Sequence, residues 1–504
     1  MAKPDQSAAG PSANALSATG TVGLDHVLGG GFTPNRLYLI EGDPGAGKTT
    51  LALCYLLEGA KRGETGMYVT LSETKEEINA VAASHGWSLD AVHIVELVAS
   101  EESLTPDSQY TMYHPSETEL GETTRKVLEE VERVKPRRVV FDSLSELRLL
   151  AQNPLRYRRQ ILALKQFFSG RKCTVLLLDD RTSEDTDLQV RSIAHGVLAL
   201  EQLSPEYRAE RRRLRVVKLR GKAYKGGYHD FTIVKGGLEV FPRLVASDHH
   251  QAFKRDKVYS GVGPLDQLLG GGLDRGTSTL ILGPAGSGKS SVAIQYAVAA
   301  AARGERAAVF AFDESEGTLL TRSAALGIDL QPQIDAGRII VQQVDPAELA
   351  PGQFIHLVRR QVEQHECRIV VIDSLNGYLN AMPEERFLVI QLHELLTYLG
   401  QNGVTTILVV AQHGLMGTAM QSPVDVSYLA DSVVLTRYFE LKGRVKKAIS
   451  VVKKRSGAHE ETIRELRLGK GGIQVGEPLE NLRGVLTGVP TFDAEPKAGP
   501  RGGE

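Results

Sequence analysis

Short apolar runs typical of buried strands alternate with longer helical stretches along most of the chain. The runs include residues 36–42, 66–72, 137–143 and 173–180, and residues 50–63 form one of the helical stretches. Strands that alternate with helices at this spacing predict a mainly parallel sheet with helices on both faces. The fold class that we expect is therefore α/β.

The chain carries an internal repeat as long as a whole domain. Residues 19–50 match residues 260–291, and an offset of 241 residues separates Lys48 of the first copy from Lys289 of the second. This offset is far longer than the period of solenoid repeats, so it indicates two homologous domains in tandem. Two later pairs of segments continue the match: residues 137–147 with 368–378, and residues 216–221 with 451–456.

Polar and glycine-rich segments mark where the domains begin and end. Residues 1–17 lack hydrophobic periodicity, residues 247–257 are polar and charged, and the chain ends in AEPKAGPRGGE. Such compositions are typical of arms, linkers and tails. We therefore predict a disordered arm over residues 1–17, a first domain over 18–246, a linker over 247–257, a second domain over 258–475 and a flexible tail over 476–504.

The overall charge is nearly balanced. The 504 residues include 59 Lys and Arg against 61 Asp and Glu, which gives a formal charge of −2. A surface built mainly to bind nucleic acid or an anionic membrane is therefore not expected. The three cysteines are widely spaced, the N-terminal segment lacks the apolar core of a signal peptide, and no run of about 18 apolar residues occurs elsewhere. These features favour a soluble protein of the reducing cytoplasm.

Two glycine-rich segments match the phosphate-binding P-loop pattern G-x-x-x-x-G-K-[ST]. Each follows an apolar run and opens a helical stretch, so backbone N–H groups at the start of a helix would face the phosphates of a nucleotide. A chance glycine turn explains one match but not two in the same context. Lys48 and Lys289 would reach the β- and γ-phosphates. The predicted nucleotide-binding residues are Gly42, Asp43, Pro44, Gly45, Ala46, Gly47, Lys48, Thr49 and Thr50 in the first copy, and Gly283, Pro284, Ala285, Gly286, Ser287, Gly288, Lys289, Ser290 and Ser291 in the second.

Both copies also predict where a magnesium ion would bind. In P-loop proteins Mg²⁺ is held by the P-loop hydroxyl and by a carboxylate at the end of a buried strand. Thr49 and Ser290 supply the hydroxyls, and the runs RRVVFD and RIVVID end in Asp142 and Asp373. A strand that ends in Asp at a turn would explain one such residue, but the recurrence favours a metal site. We therefore predict that the protein uses ATP with Mg²⁺.

Hydrolysis also needs a group that orients or deprotonates the attacking water. Acids at matching positions follow the first apolar run after the P-loop helix: Glu73 in the first copy, and Asp313 and Glu314 in the second. The first copy has Ser72 in place of the first acid, which leaves its rate of hydrolysis open and makes a first domain that binds nucleotide without hydrolysing it an alternative. A cap on the following helix is the other interpretation of these acids.

Together these residues resemble one family. The openings GLDHVLGGG and PLDQLLGGG, the P-loops, the strands that end in Asp and the segments VVKLRG and VVKKRS are similar to those of the tandem RecA-like ATPases of the KaiC type. The resemblance covers about residues 17–475. It implies two RecA-like P-loop NTPase domains, a homo-oligomer in the form of a two-tiered hexamer, and ATP bound between neighbouring subunits.

In that family a basic pair near the end of each domain reaches the phosphate of the neighbouring subunit's nucleotide. The resemblance transfers this role to Lys218 and Arg220 in the first domain and to Lys453 and Arg455 in the second. The members of each pair are two residues apart on a predicted strand, so both side chains face the same way. An ordinary solvated basic strand is the alternative interpretation.

The resemblance also implies serine autokinase and autophosphatase activity in the second domain. Residues 422–438 place Ser427 at the family's phosphorylated Ser and Tyr428 where the family has a phosphorylated Thr. Phosphorylation of Ser427 is therefore a hypothesis, and a two-site cycle is less expected because Tyr is longer than Thr. The tail differs from the family's, so the signalling partners, a KaiB-like protein among them, and a role in circadian timing stay open.

A DNA-processing ATPase, such as a recombinase or helicase, is the alternative from another class, because such enzymes share the fold. DNA motors line their grooves with Lys and Arg interleaved with aromatic residues. Only 6% of this chain is aromatic, and Trp87 is its single tryptophan, so we favour signalling or timing. His413, Asp179 and Asp180 follow strands near the expected γ-phosphate, where a nucleotide-sensing role and a turn-capping role are both open.

Overall fold

The computed structural model describes residues 16–97, 115–151, 153–180, 188–204, 209–380, 387–412, 427–487 and 490–492. The chain divides into two compact units, Met1–Arg243 and Leu244–Glu504. Each unit contains one nine-stranded sheet. In the described parts of the chain, no helix has the length and apolar character that crossing a membrane requires.

The first unit alternates strands and helices up to its sixth strand and then continues in strands alone. Parallel neighbours need long crossovers, whereas the last strands are antiparallel and joined by shorter connections. Its helices are Val22–Val27 (α1), Lys48–Lys61 (α2), Lys75–Ser84 (α3), Pro115–Val134 (α4), Leu144–Ala151 (α5), Pro154–Ser169 (α6) and Leu188–Ile193 (α7). Its strands are Leu37–Gly42 (β1), Gly66–Thr70 (β2), Val92–Glu96 (β3), Arg138–Asp142 (β4), Thr174–Asp180 (β5), Gly196–Leu203 (β6), Arg211–Leu219 (β7), His229–Val234 (β8) and Gly237–Phe241 (β9).

The second unit repeats this plan. Its helices are Gly263–Leu268 (α8), Lys289–Ala302 (α9), Glu316–Ala325 (α10), Leu330–Asp335 (α11), Pro351–Glu363 (α12), Leu375–Asn380 (α13) and Phe387–Gln401 (α14). Its strands are Lys257–Val258 (β10), Leu273–Asp274 (β11), Ser278–Gly283 (β12), Arg306–Ala311 (β13), Ile339–Gln343 (β14), Cys367–Asp373 (β15), Thr405–Ala411 (β16), Ser432–Leu441 (β17), Arg444–Lys454 (β18), Arg464–Gly469 (β19), Gly472–Pro478 (β20), Leu482–Arg483 (β21) and Thr491–Phe492 (β22).

The two large sheets have matching strand orders. The first runs β3-β2-β4-β5-β1-β6-β7-β8-β9 and the second β14-β13-β15-β16-β12-β17-β18-β19-β20. The first six strands in each order are parallel. In both sheets the strand before the P-loop lies centrally, so the loop emerges at the carboxyl edge, where open α/β sheets bind ligands. The expected α/β class with a mainly parallel sheet is confirmed.

Alternate residues of the central strand pack on opposite faces of the sheet. Tyr38 and Ile40 join the core that contains α2, whereas Leu37 and Leu39 join the core on the other face. Both faces are therefore buried, which explains why the first four residues of β1 form a continuous apolar run and not an alternating one. The second unit has two corresponding clusters.

Parts of the predicted linker and of the predicted tail pack on the second unit. Residues 247–257 belong to the second unit, where Asp256 pairs with Arg275 at 2.6 Å. The last strand of the second large sheet, β20, continues past residue 475, and Val485 is buried against Phe439. One apolar side chain thus anchors part of a segment whose overall composition resembles a tail. Residues 1–15 of the predicted arm and 493–504 of the tail lie outside the described residues.

Candidate functional site

In each P-loop, the glycine before the lysine immediately precedes a helix. Gly47 and Gly288 precede α2 and α9 with φ of 94° and 105°, a left-handed conformation that glycine adopts without strain. A Cβ atom at Gly288 would lie 2.7 Å from Cδ1 of Leu468, and one at Gly47 would lie 2.9 Å from Cδ1 of Ile233. The loop is therefore closely packed and presents a helix start, which is a favourable place for phosphate.

The P-loop lysine of the first domain is held by three oxygen atoms. Lys48 Nζ donates to the carbonyls of Gly42 at 3.0 Å and Asp43 at 2.8 Å, and it forms an ion pair with Asp180 at 2.7 Å. Asp180 is level with Gly42 because β5 and β1 are parallel neighbours. One of the two acids that end β5 thus contacts the predicted phosphate-binding lysine.

The P-loop lysine of the second domain lacks this carboxylate. Lys289 Nζ donates to the carbonyl of Pro284 at 2.7 Å. Ala411 pairs with Gly283 at the position that Asp180 occupies in the first sheet. Burial lowers the pKa of Lys289 to about 8, an effect that the Asp373 carboxylate opposes. An anion at this loop would stabilise the charged lysine.

The predicted metal ligands lie next to each other in both domains. Thr49 Oγ1 donates to Asp142 Oδ2 at 3.0 Å, and Tyr68 donates its hydroxyl to the same carboxylate oxygen. Burial raises the pKa of Asp142, and these two hydrogen bonds counteract it. In the second domain burial likewise raises the pKa of Asp373, and a hydrogen bond from Ser290 counteracts it.

This donor set fits magnesium. Mg²⁺ takes oxygen ligands, keeps several waters, and in nucleotide sites uses one or two protein oxygens together with phosphates. A hydroxyl beside a buried carboxylate supplies those oxygens in each domain. The described residues contain no group of three or more His, Cys, Asp or Glu side chains that could hold a metal without a nucleotide.

The loop with Glu73 is fixed beside the end of β4. The Leu71 N–H donates to the carbonyl of Asp142 at 2.8 Å, and Thr70 Oγ1 donates to the carbonyl of Glu73 at 2.7 Å. Oε2 of Glu73 is shielded from solvent and has no hydrogen-bond partner among the described residues. Burial and the Asp142 carboxylate raise the pKa of Glu73. The site therefore contains a carboxylate with a free acceptor atom close enough to Asp142, one of the predicted metal ligands, to have its pKa raised by it.

The helix after Glu73 is capped by a different residue. Thr74 accepts the N–H of Glu77 at 3.2 Å in a capping box, and Ser315 accepts the N–H of Thr318 at 3.2 Å at the matching helix. The alternative interpretation, that Glu73 or Glu314 is the helix cap, is therefore wrong.

The two acids of the second domain have different partners. Asp313 accepts a hydrogen bond from Ser374, the residue after Asp373. Glu314 forms an ion pair with Arg322 of α10, with an Nη2–Oε2 distance of 2.7 Å. Sequence reasoning missed Arg322, although the 241-residue offset aligns it with Val81, and this change from an apolar residue to a cation was a readable signal.

The basic pairs lie far from the P-loop of their own domain. Lys218 pairs with Val197, which pairs with Leu39 near the start of β1, whereas the P-loop follows the end of β1. Lys218 and Arg220 donate to carbonyls of the 191–192 segment. Lys453 and Arg455 correspondingly donate to carbonyls of the 427–430 turn.

Ser427 belongs to that turn. Its carbonyl accepts from Lys453 Nζ at 2.8 Å, and the carbonyl of Tyr428 accepts from Arg455 Nη2 at 2.9 Å. Ser427 is half-buried, and 54% of Tyr428 is exposed. The turn leads into β17, which is parallel to β12, so it lies at the edge of the sheet opposite its own P-loop.

Asp179 and Asp180 have separate partners at the end of β5. Asp180 contacts Lys48, while Asp179 forms an ion pair with Arg148 at 2.5 Å. Burial raises the pKa of Asp179 to about 6, against the effect of Arg148. His413 lies outside the described residues.

Comparison with known proteins covers both domains. A family model described as the KaiC ATPase matches residues 17–245 and 258–480. The chain is 26% identical over 486 residues to the circadian clock protein KaiC3 of Synechocystis, and the match covers 95% of each chain. It is also 26% identical over 475 residues to the circadian clock oscillator protein KaiC of Picosynechococcus, a match that covers 93% of this chain and 91% of the relative. The corresponding protein of Synechococcus elongatus is 25% identical over 475 residues, with 93% and 90% covered.

Proposed function

The chain belongs to the KaiC ATPase family, and from this premise we propose that both domains bind ATP with Mg²⁺ and hydrolyse it. The expected fold class of two tandem RecA-like P-loop NTPase domains is that of the family. The observation that carries the proposal is the hydroxyl beside a buried carboxylate at the start of a P-loop helix, present in both domains.

Different residues have different roles in the transfer of the γ-phosphate to water. The helix starts and the two P-loop lysines bind the phosphates. Magnesium, when bound through Thr49 and Asp142 or through Ser290 and Asp373, would neutralise charge on the β- and γ-phosphates. Glu73, with its free buried oxygen, orients the attacking water and accepts its proton. Glu314 has this role in the second domain.

We further propose that the protein works as a homo-oligomer, a hexamer, with ATP between subunits. Along β1, Leu39 and Gly42 are separated by about 10 Å at 3.3 Å per residue, and the P-loop continues beyond Gly42. Lys218 lies level with Leu39, and both Lys218 and Arg220 donate to carbonyls of residues 191–192, away from their own P-loop. A neighbouring subunit brings such a pair to the phosphate, as an arginine finger does.

Ser427 is the proposed site of autophosphorylation. The turn that contains it lies at the same edge as Lys453 and Arg455, so a nucleotide that these residues contact on a neighbour lies near the Ser427 hydroxyl. Transfer would form an Oγ–phosphorus bond, release ADP and leave the hydroxyl proton on a nearby base. The phosphorylation state and the nucleotide state would then control docking of signalling proteins, in timing or in another process.

Three measurements on the purified full-length protein test this function. Phosphate release from ATP and Mg²⁺ should fall in Glu73→Gln and in Glu314→Gln, and it should be lost when both are changed. Light scattering should give the mass of six chains when ATP is present. Label from γ-labelled ATP should remain on the protein and be absent from Ser427→Ala.

Each part of the proposal can fail on its own. Turnover that survives in the double Gln variant would contradict the assignment of both glutamates. A monomer in the presence of ATP would contradict sites shared between subunits. Label that persists on Ser427→Ala would place phosphorylation elsewhere, and absence of label on the parent protein would remove the autokinase.

A further inference from the structure

The second domain contains a cation that the first domain lacks, directly beside the proposed water-activating acid. Arg322 Nε donates to Glu314 Oε1 at 3.1 Å, and Arg322 Nη2 donates to Glu314 Oε2 at 2.7 Å. Both carboxylate oxygens are therefore engaged by one planar guanidinium group. This bidentate geometry is the strongest that an arginine and a carboxylate form.

The same arginine is also tied to the P-loop helix. Its Nη1 donates to Ser291 Oγ at 2.9 Å, and Ser291 is the second residue after the P-loop lysine. Ser291 is buried, whereas the side chains of Arg322 and Glu314 are 29% and 24% exposed. Arg322 thus connects the acid to the element that receives the nucleotide, and all three contacts are made within one domain.

An acid held in this way is poorly suited to act on water. A carboxylate that orients water must offer a free lone pair on one oxygen, and the two that face the guanidinium are already in use. Each oxygen keeps a second lone pair, but release by Arg322 would free the two lone pairs that now face the guanidinium and let water bind there.

The first domain provides the contrast. Val81 stands where Arg322 stands, and Glu73 keeps a buried oxygen without a partner among the described residues. Thr50 is aligned with Ser291, so the other anchor point is still a hydroxyl. A single residue separates the free acid of one domain from the engaged acid of the other.

We propose that Arg322 is a positioning residue that latches Glu314 and slows ATP hydrolysis in the second domain. The inference rests on the proposed role of Glu314 as the acid that orients water. It also answers the question that Ser72 left open: the first domain, although it lacks the first acid, has the unrestrained glutamate and is the faster ATPase.

The test measures steady-state phosphate release in a Glu73→Gln background, where the second domain supplies the turnover. Arg322→Gln should raise kcat by about three- to tenfold with KM for ATP unchanged, as expected for loss of a partly exposed ion pair. Arg322→Lys, which keeps the charge but loses the two-pronged contact, should give a smaller increase. Arg303→Gln, an exposed arginine at the end of α9, is the matched control and should leave kcat unchanged.

The reverse change tests the same idea without disturbing the second domain. In a Glu314→Gln background, Val81→Arg should lower first-domain kcat by a similar factor, because the new side chain can reach Glu73 and Thr50. Thermal unfolding of each variant establishes that it is folded. If one of the variants Arg322→Gln and Val81→Arg does not fold, the other still tests the role of Arg322.

The outcomes separate this inference from the function on which it rests. If Arg322→Gln lowers kcat or leaves it unchanged while Glu73→Gln/Glu314→Gln is inactive, the latch is wrong and the role of the glutamates stands. If that double variant is still active, the role of the glutamates fails first. An increase in Glu73→Gln/Arg322→Gln that disappears on adding Glu314→Gln supports the latch.

Discussion

Single side chains distinguish two nucleotide sites whose motifs are the same. Tyr68 donates to Asp142 in the first domain, and Val309 occupies the aligned position in the second. Lys48 has Asp180 as an ionic partner, whereas Lys289 has none at the equivalent strand position, Ala411. Because the Tyr68 hydrogen bond lowers the pKa of Asp142 and Val309 cannot make it in the second domain, the two sites should differ in pH dependence.

Tyr68→Phe should shift the pH profile of ATP hydrolysis in the first domain. The Tyr68 hydrogen bond lowers the pKa of Asp142, so its removal raises this pKa further. A protonated Asp142 binds Mg²⁺ poorly, so the fall in turnover on the acid side should begin at a higher pH than in the parent protein. Phosphate release from pH 5 to 8 in a Glu314→Gln background measures it.

Tyr55→Phe is the matched control for this change. It removes another buried hydroxyl of the first domain, one that contacts Ser17 at 3.0 Å and not the metal-binding pair. Its profile should coincide with that of the parent protein. A Tyr68→Phe profile that also coincides would contradict a role of Tyr68 in keeping Asp142 ionised.

At the scale of elements, the strand, P-loop and helix form one functional unit. The central strand is buried on both faces, and the helix begins at the P-loop lysine, so the loop between them is fixed at both ends. Gly288 supplies the left-handed turn and leaves room for Leu468 of β19. The antiparallel strand β19 therefore packs against the P-loop through Leu468.

Gly288→Ala should weaken ATP binding and destabilise the second domain. The added Cβ would lie 2.7 Å from Leu468 Cδ1. The alanine backbone would also have to adopt a left-handed conformation, at a cost of about 1–2 kcal/mol. A comparable loss in affinity is about tenfold. Equilibrium ATP binding in a Lys48→Ala background and urea unfolding measure the two effects.

Gly317→Ala serves as the comparison within the same domain. Gly317 lies in α10, has no left-handed φ, and a Cβ there would meet no atom within 4 Å. Because alanine favours helix, this change should leave affinity unchanged and add about 0.5–1 kcal/mol of stability. Equal effects of the two substitutions would contradict the packing argument.

At the scale of the whole molecule, the proposed sites need two chains. The basic pairs and the P-loops lie at opposite edges of each sheet, and the same is true in both domains. This repetition is explained if each ring of domains forms its own set of shared sites. Symmetric closure of such head-to-tail contacts gives a ring.

Mixing two inactive variants should restore activity if the sites are shared. Lys48→Ala lacks a working P-loop but keeps Arg220, and Arg220→Ala has the reverse defect. In random rings formed in a Glu314→Gln background, roughly one quarter of first-domain sites join an intact P-loop to an intact neighbouring Arg220. Phosphate release of the co-assembled mixture should reach about that fraction of the parent's.

The mixing experiment has a clear negative result. If Arg220 acted on its own subunit's nucleotide, no chain in the mixture would be complete and the mixture would stay inactive. Light scattering of each variant and of the mixture verifies that assembly itself is intact.

The sequence by itself determined the duplication, the α/β class and the P-loops, and it supplied the predicted metal-binding and acidic residues. These features depend on short contiguous motifs. The strand, turn and helix that contain each motif are enough to predict what it binds. The family resemblance came from the same segments, and the KaiC family match confirmed it.

Only the tertiary structure decided which side chains meet around those motifs. The contact of Tyr68 with Asp142 joins β2 to β4, and that of Lys48 with Asp180 joins the start of α2 to the end of β5. In both cases the joined residues are distant in the chain and close in the fold. Strand order and register fix such pairs, and hydrophobic patterning specifies neither. The pairing of Glu314 with Arg322 likewise depends on how α10 packs, since Arg322 of this helix contacts both Glu314 and Ser291 of the P-loop helix. The motifs therefore predict that ATP is hydrolysed, and the packing around them sets the difference between the two sites.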